Sequence, residues 1–220
     1  MSETVEFDTI LRIKMSCIRK EREQEERKMN NNFTKTNKLT IMAVMFALTV
    51  VFVLVTAIPN FAVSIAVAIF LPTIFTGILL GPGAGAAMGG LAGLTTMLRA
   101  IFMPLSPSDS LFRNPLVSIL PRILIGLAAY MVFRLIAKDS DQSKIVASGF
   151  AGAIGMLTNT IFVVGMLYVV YGQTMVEAMG GLGFVSALGV LFTSNGIVEM
   201  VVAAVITPIL MRAYLSYRKK

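Results

Sequence analysis

Residues 97–130 read MLRAIFMPLSPSDSLFRNPLVSILPRILIGLAAY. An apolar helix runs into this stretch and another runs out of it. Between them lies a loop bearing Pro, Ser and Asp. Three arginines, Arg99, Arg113 and Arg122, sit at or near that loop. Two helices of this apolarity, joined by so short a polar segment, read as consecutive membrane spans that turn at one face. The three cations gathered at that face suggest the mouth of a binding site for a small anionic solute.

Outward from this stretch the rest of the chain has the same character. Its 220 residues are 56% hydrophobic, beyond what a soluble core of this size uses. Several runs of about 20 apolar residues match the thickness of a bilayer core. The expectation is an all-α, polytopic membrane protein with six transmembrane helices. The six spans are read at about Leu39–Ile58, Phe61–Leu80, Gly83–Met103, Leu116–Ala137, Ile145–Tyr171 and Ser186–Tyr214. The second span is the least regular, because Pro59 and Pro72 bracket FAVSIAVAIF, which could be partly non-helical or tilted. Residues 1–34 form a polar tail, and residues 35–220 form the six-helix membrane domain. Met29 offers an alternative start of translation, which would leave 1–28 outside the protein; otherwise that segment is a cytoplasmic tail.

Charge sets the expected orientation. Residues 1–28 hold seven acids and seven bases, so the net charge of +7 belongs to the membrane part. With the N-terminus inside, Lys35, Lys38, Arg134, Lys138, Lys144, Arg212, Arg218, Lys219 and Lys220 all fall on the cytoplasmic face. The opposite face holds only Arg99, Arg113 and Arg122. The positive-inside rule then predicts that both termini are cytoplasmic.

What is missing narrows the chemistry. There is no histidine and one cysteine, Cys17, so a Cys/His zinc site, a His-based triad and a disulfide are all excluded. GPGAG at 81–85 lacks the lysine of a P-loop. No clustered carboxylates suggest a metal, and no cofactor is expected. No basic cluster with interleaved aromatics suggests nucleic acid. The chain reads as a binder, not an enzyme. The partners expected from the residues are the lipid bilayer and a small solute.

Depth then selects the candidate site. Arg99, Arg122, Asn159, Asn195 and Glu199 fall mostly in the outer half of spans three to six, counted at about 1.5 Å per residue, with Glu199 the deepest at about three turns. Asn195 and Glu199 are four apart and share a helix face. Ionisable groups at such depth usually face a cavity or one another. Arg99 or Arg122 could hold a carboxylate in bidentate geometry, with Asn159, Asn195 and Glu199 on the polar remainder. The competing reading is internal pairing, for example Arg122 with Glu199, or snorkelling to headgroups. Arg113 reads as a surface or lid residue, and Asp109 as an N-cap or a partner for Arg113. Gly77, Gly81, Gly85, Gly89 and Gly93 recur every four residues, a spacing that lets helices approach closely within the molecule. Ala43 and Ala47 form an A-x-x-x-A pattern in the first span.

With six spans, the A-x-x-x-A, FRNPLVSILPRILIGLAAY at 112–130, TNT at 158–160 and NGIVEM at 195–200, the chain resembles an S component of an energy-coupling-factor (ECF) vitamin transporter. The NPLVSILPRILIG block looks most like the pantothenate type. This resemblance implies a subunit that binds one vitamin from the extracellular side. It implies docking on a membrane coupling (T) subunit driven by two cytoplasmic ATPases. It also implies that Ala43 and Ala47 face the coupling subunit, and that loops 59–63 and 104–115 close over the substrate. Pantothenate, with one carboxylate, two hydroxyls and an amide, suits the arginine and asparagine set. Riboflavin would want an aromatic cluster, and none is evident in the sequence. Folate or a pyridoxine-like vitamin stays open, as does a stand-alone secondary transporter using Glu199.

Overall fold

A computed structural model describes residues 16, 35–55, 62–104, 107–178 and 196–218. The chain divides into two compact units, residues 1–40 and 41–220, and the helices of the second carry the candidate site. In a bilayer a backbone must satisfy its own hydrogen bonds, and a helix does so within one segment. All regular structure among the described residues is helical. Helix α1 spans Lys35–Val55, α2 Ala62–Leu80 and α3 Pro82–Phe102. A 3-10 helix covers Pro107–Arg113, followed by the short α4 at Pro115–Ser118. Then come α5 at Leu120–Ile136, α6 at Asp141–Ala178 and α7 at Ile197–Arg218. Among the described residues, five segments are long and apolar enough to cross a membrane: Thr36–Val55, Pro82–Phe102, Pro115–Ile136, Asp141–Gly172 and Ile197–Arg218. Val67–Leu80 is a shorter apolar helix beside them.

The second span is more regular than its prolines suggest. It is helical from Ala62 to Leu80 with Pro72 inside. A proline removes one N–H and crowds one carbonyl, yet close neighbours can hold such a helix together in a membrane. Here Leu71, Ile74, Phe75 and Ile78 are all buried in the main core. The fifth span is longer than expected, and a non-helical Gly172 with φ 39° kinks it. The sixth is described from Gly196, so Asn195 lies outside the described residues.

Tight packing follows the glycine stripe. A Cβ on Gly77 would lie 2.6 Å from the Gly126 carbonyl oxygen. One on Gly89 would lie 2.1 Å from the Arg122 carbonyl oxygen, and one on Gly93 2.6 Å from that of Ser118. Gly85 and Gly126 meet backbone to backbone, with 2.4 Å between the Cβ position on Gly126 and the Gly85 carbonyl. Thus α2, α3 and α5 touch through their main chains, as small-residue packing in membranes allows. Gly81 plays another part. Its φ of 98° and the Pro82 that starts α3 make a one-residue turn between α2 and α3.

The core lies where α2, α5, α6 and α7 meet, around Ile74, Ile125, Ala129, Met156, Ala203 and Met211. Helix α1 is mostly exposed, with Val44 at 54% and Val51 at 53%, and turns Thr49 and Val53 inward. That exposure is apolar, as a lipid- or partner-facing helix requires.

Candidate functional site

The site begins with a proline. Pro121 has no N–H, so the Val117 carbonyl one turn earlier receives no helical hydrogen bond from it. The Arg122 guanidinium supplies the missing donor, Nη1 to the Val117 oxygen at 2.6 Å. Asn114 starts this corner by capping α4 through its side chain, which accepts from the Leu116 N–H at 2.9 Å, with Pro115 in the first turn. The block FRNPLVSILPR is therefore a local device that turns the chain and aims an arginine inward.

Arg122 is 6% exposed. Its guanidinium lies over two aromatic rings, 5.5 Å from the Phe70 centroid on α2 and 5.4 Å from the Phe112 centroid on the 3-10 helix. Both fall within cation–π range. Nε is buried and has no hydrogen-bond partner. With Nη1 committed to Val117, the Nε–Nη2 edge is the one a carboxylate takes side-on.

Helix register brings other polar groups to this level. Ile74 of α2 and Ala129 of α5 both pack on Gly155 of α6. One turn toward the Pro107–Arg113 end lie Phe70, Ile125 and Asn159. Asn159 is 8% exposed and its Oδ1 has no partner. Gly152 of α6 packs on Ala203 and Thr207 of α7. Glu199 is one turn from Ala203 on the same face, and so lies near the level of Asn159. Glu199 is close enough to interact electrostatically with Arg122. Among the described residues, no direct ion pair joins the two. A buried cation, an amide oxygen without a donor and a nearby carboxylate thus share one layer of the bundle.

The structure separates the three arginines. Arg99 forms a two-bonded ion pair with Asp109, through Nη2 to Oδ1 and through Nη1 to Oδ2 at 3.4 Å. Arg113 is exposed, and its Nε donates to the Ala100 carbonyl at 3.4 Å. Arg122 alone of the three reaches the interior. Phe70 and Phe112 were not legible as a pair, because they lie far apart in sequence and meet only around Arg122. Two fully buried hydroxyls on α2, Thr73 and Thr76, also lack partners. Ala43 and Ala47 are both exposed on α1.

A family model described as the substrate-specific component of ECF transporters matches residues 37–211. The chain belongs to that family. It is a multi-pass protein of the plasma membrane and a transport component. Among curated relatives, the pantothenate transporter PanT of Leuconostoc mesenteroides is 37% identical over 101 residues. That match covers 46% of this chain and 48% of the relative, so it spans about half of each. The pantothenic acid transporter PanT of Lactococcus lactis subsp. cremoris is 24% identical over 204 residues, covering 84% of this chain and 97% of the relative. The S-component match takes in Arg99, Arg122, Asn159 and Glu199 together with the helices that carry them.

Proposed function

We propose that this chain is the pantothenate-binding S component of an ATP-driven ECF importer, taking the vitamin from the extracellular side. The observation that carries the reading is Arg122: a buried guanidinium, in contact with two phenyl rings, with its Nε unpartnered. Such a cation is costly to bury unless a ligand completes it. A single carboxylate fits its free edge. Asn159 offers an acceptor for a hydroxyl or amide N–H, and Glu199 another. Asn195, next to this helix end in sequence, belongs to the same proposed set. Two relatives whose names specify pantothenate support the choice of vitamin. The excess of bases at the far end of the bundle supports an extracellular site with both termini cytoplasmic. A coupling subunit and two ATPases supply the energy, with Ala43 and Ala47 on the docking face.

The test is calorimetric titration of the purified chain with pantothenate, riboflavin, folate and pyridoxine. Tight one-to-one binding of pantothenate alone is expected. Tight binding of a different vitamin would keep the family and discard the substrate.

A further inference from the structure

Among the three arginines at this face, Arg99 has a task of its own. We propose that the Arg99–Asp109 pair is a latch that positions Phe112 on Arg122, and that Arg99 does not touch the substrate. The inference rests on Arg122 as the proposed substrate-binding cation. Asp109 and Phe112 are three residues apart in a 3-10 helix, where positions i and i+3 eclipse. One edge of that short helix therefore carries both groups. Asp109 grips α3 through Arg99, and Phe112 lies on the Arg122 guanidinium. The ion pair is forked and largely shielded, with its side chains 16% and 9% exposed, which makes it stronger than an open surface pair.

Other bonds tie the same segment down. The Tyr171 hydroxyl on α6 donates to the Leu111 carbonyl at 3.1 Å. The Ser118 hydroxyl donates to the Phe112 carbonyl, and the Arg113 Nε to that of Ala100. These contacts all go to main-chain oxygens, which any sequence offers. The Arg99–Asp109 pair is the tie made by two charged side chains, so its strength depends on both identities. It has a second consequence. Asp109 neutralises Arg99, so Arg122 is the guanidinium left in its layer to meet a ligand carboxylate.

The chain contains no tryptophan, so Phe112→Trp gives a single, selectively excited indole at the latch that still stacks on a cation. The experiment compares this protein in nanodiscs with and without Asp109→Asn, first without ligand. The latch predicts a red-shifted emission and at least threefold stronger acrylamide quenching in the Asn variant. The exchanged pair, Arg99→Asp with Asp109→Arg, should recover most of the protection. Pantothenate dissociation, measured in the same proteins, should speed up about tenfold in Asp109→Asn while association changes less than twofold. Unchanged quenching in Asp109→Asn would overturn the latch. So would a loss of binding in Arg99→Ala that Asp109→Asn does not share, which would make Arg99 a direct ligand. If the parent protein does not bind pantothenate but its quenching still responds to Asp109→Asn, the latch stands and the vitamin assignment falls.

Discussion

At the scale of single residues, Arg122 does two opposed things. It costs stability, because a guanidinium is taken from water with no direct ion pair at 6% exposure. It supplies the cation of the proposed site, because no other cation described here enters that layer. Arg122→Met should therefore raise the thermal midpoint of the ligand-free protein in detergent while weakening pantothenate binding. One charge-assisted hydrogen bond is worth roughly 1.5–3 kcal/mol, which is about a 10- to 150-fold change in Kd. Arg122→Lys should also bind weakly, since an ammonium cannot reach Val117 and a carboxylate with one planar fork. Thermal unfolding and calorimetry on the same samples check both signs. Pro121 belongs to the same unit. Pro121→Ala restores a backbone donor that competes with Arg122 for the Val117 carbonyl. The expected outcome is a midpoint no lower than the parent's and an affinity at least fivefold weaker. An unchanged affinity would show that the Val117 bond does not orient Arg122.

Among the helices, glycines divide by what surrounds them. Gly126 of α5 faces the Gly85 backbone, and a Cβ there would lie 2.4 Å from its carbonyl. Backbone cannot step aside as a side chain can, so Gly126→Ala should separate α3 from α5 and cost about 1–3 kcal/mol or more. Gly165 lies mid-helix in α6 with nothing within 4 Å of its Cβ position. Gly165→Ala should be neutral or stabilise by up to about 1 kcal/mol through lost chain entropy. Thermal melts of the two variants in one detergent distinguish a packing glycine from a merely tolerated one. The spacing of four in the sequence was enough to expect close packing within the molecule. Gly81 stands apart from the stripe, and the sequence placed it with Pro82 between the second and third spans, where its φ of 98° makes the turn.

Across the whole molecule, orientation and docking are each read by a single engineered residue. After Cys17 is replaced by Ser, a cysteine at Arg113 should react with an impermeant thiol reagent added outside intact cells. A cysteine at Lys138 should react only once the membrane is opened. The reverse pattern would place the site on the cytoplasmic side and end the importer reading. Helix α1 presents Ala43 and Ala47 at the surface, next to the exposed Val44 and Leu48. Ala47→Trp should leave calorimetric binding of the vitamin unchanged, since Ala47 is exposed and the inward face of α1 is carried by Thr49 and Val53. It should reduce co-purification with the coupling subunit several-fold, because close helix approach needs a small residue there.

The spans, their apolar surface and the membrane class were legible in the chain itself, because burial in lipid demands runs of apolar helix whatever the tertiary arrangement. The depth of Arg122, Asn159 and Glu199 could be counted along single helices for the same reason. The corner at NPLVSILPR was not legible, since the fourth span reads as one run from Leu116, whereas two helices, Pro115–Ser118 and Leu120–Ile136, meet there. Which arginine would enter the interior was a different kind of question. Arg99 and Arg122 have equal claims by depth. Only the folded chain decides between them, by bringing Asp109 to one and the rings of Phe70 and Phe112 to the other. Electrostatic partners and aromatic neighbours are set by which faces of distant helices meet, and a one-dimensional pattern does not encode that meeting.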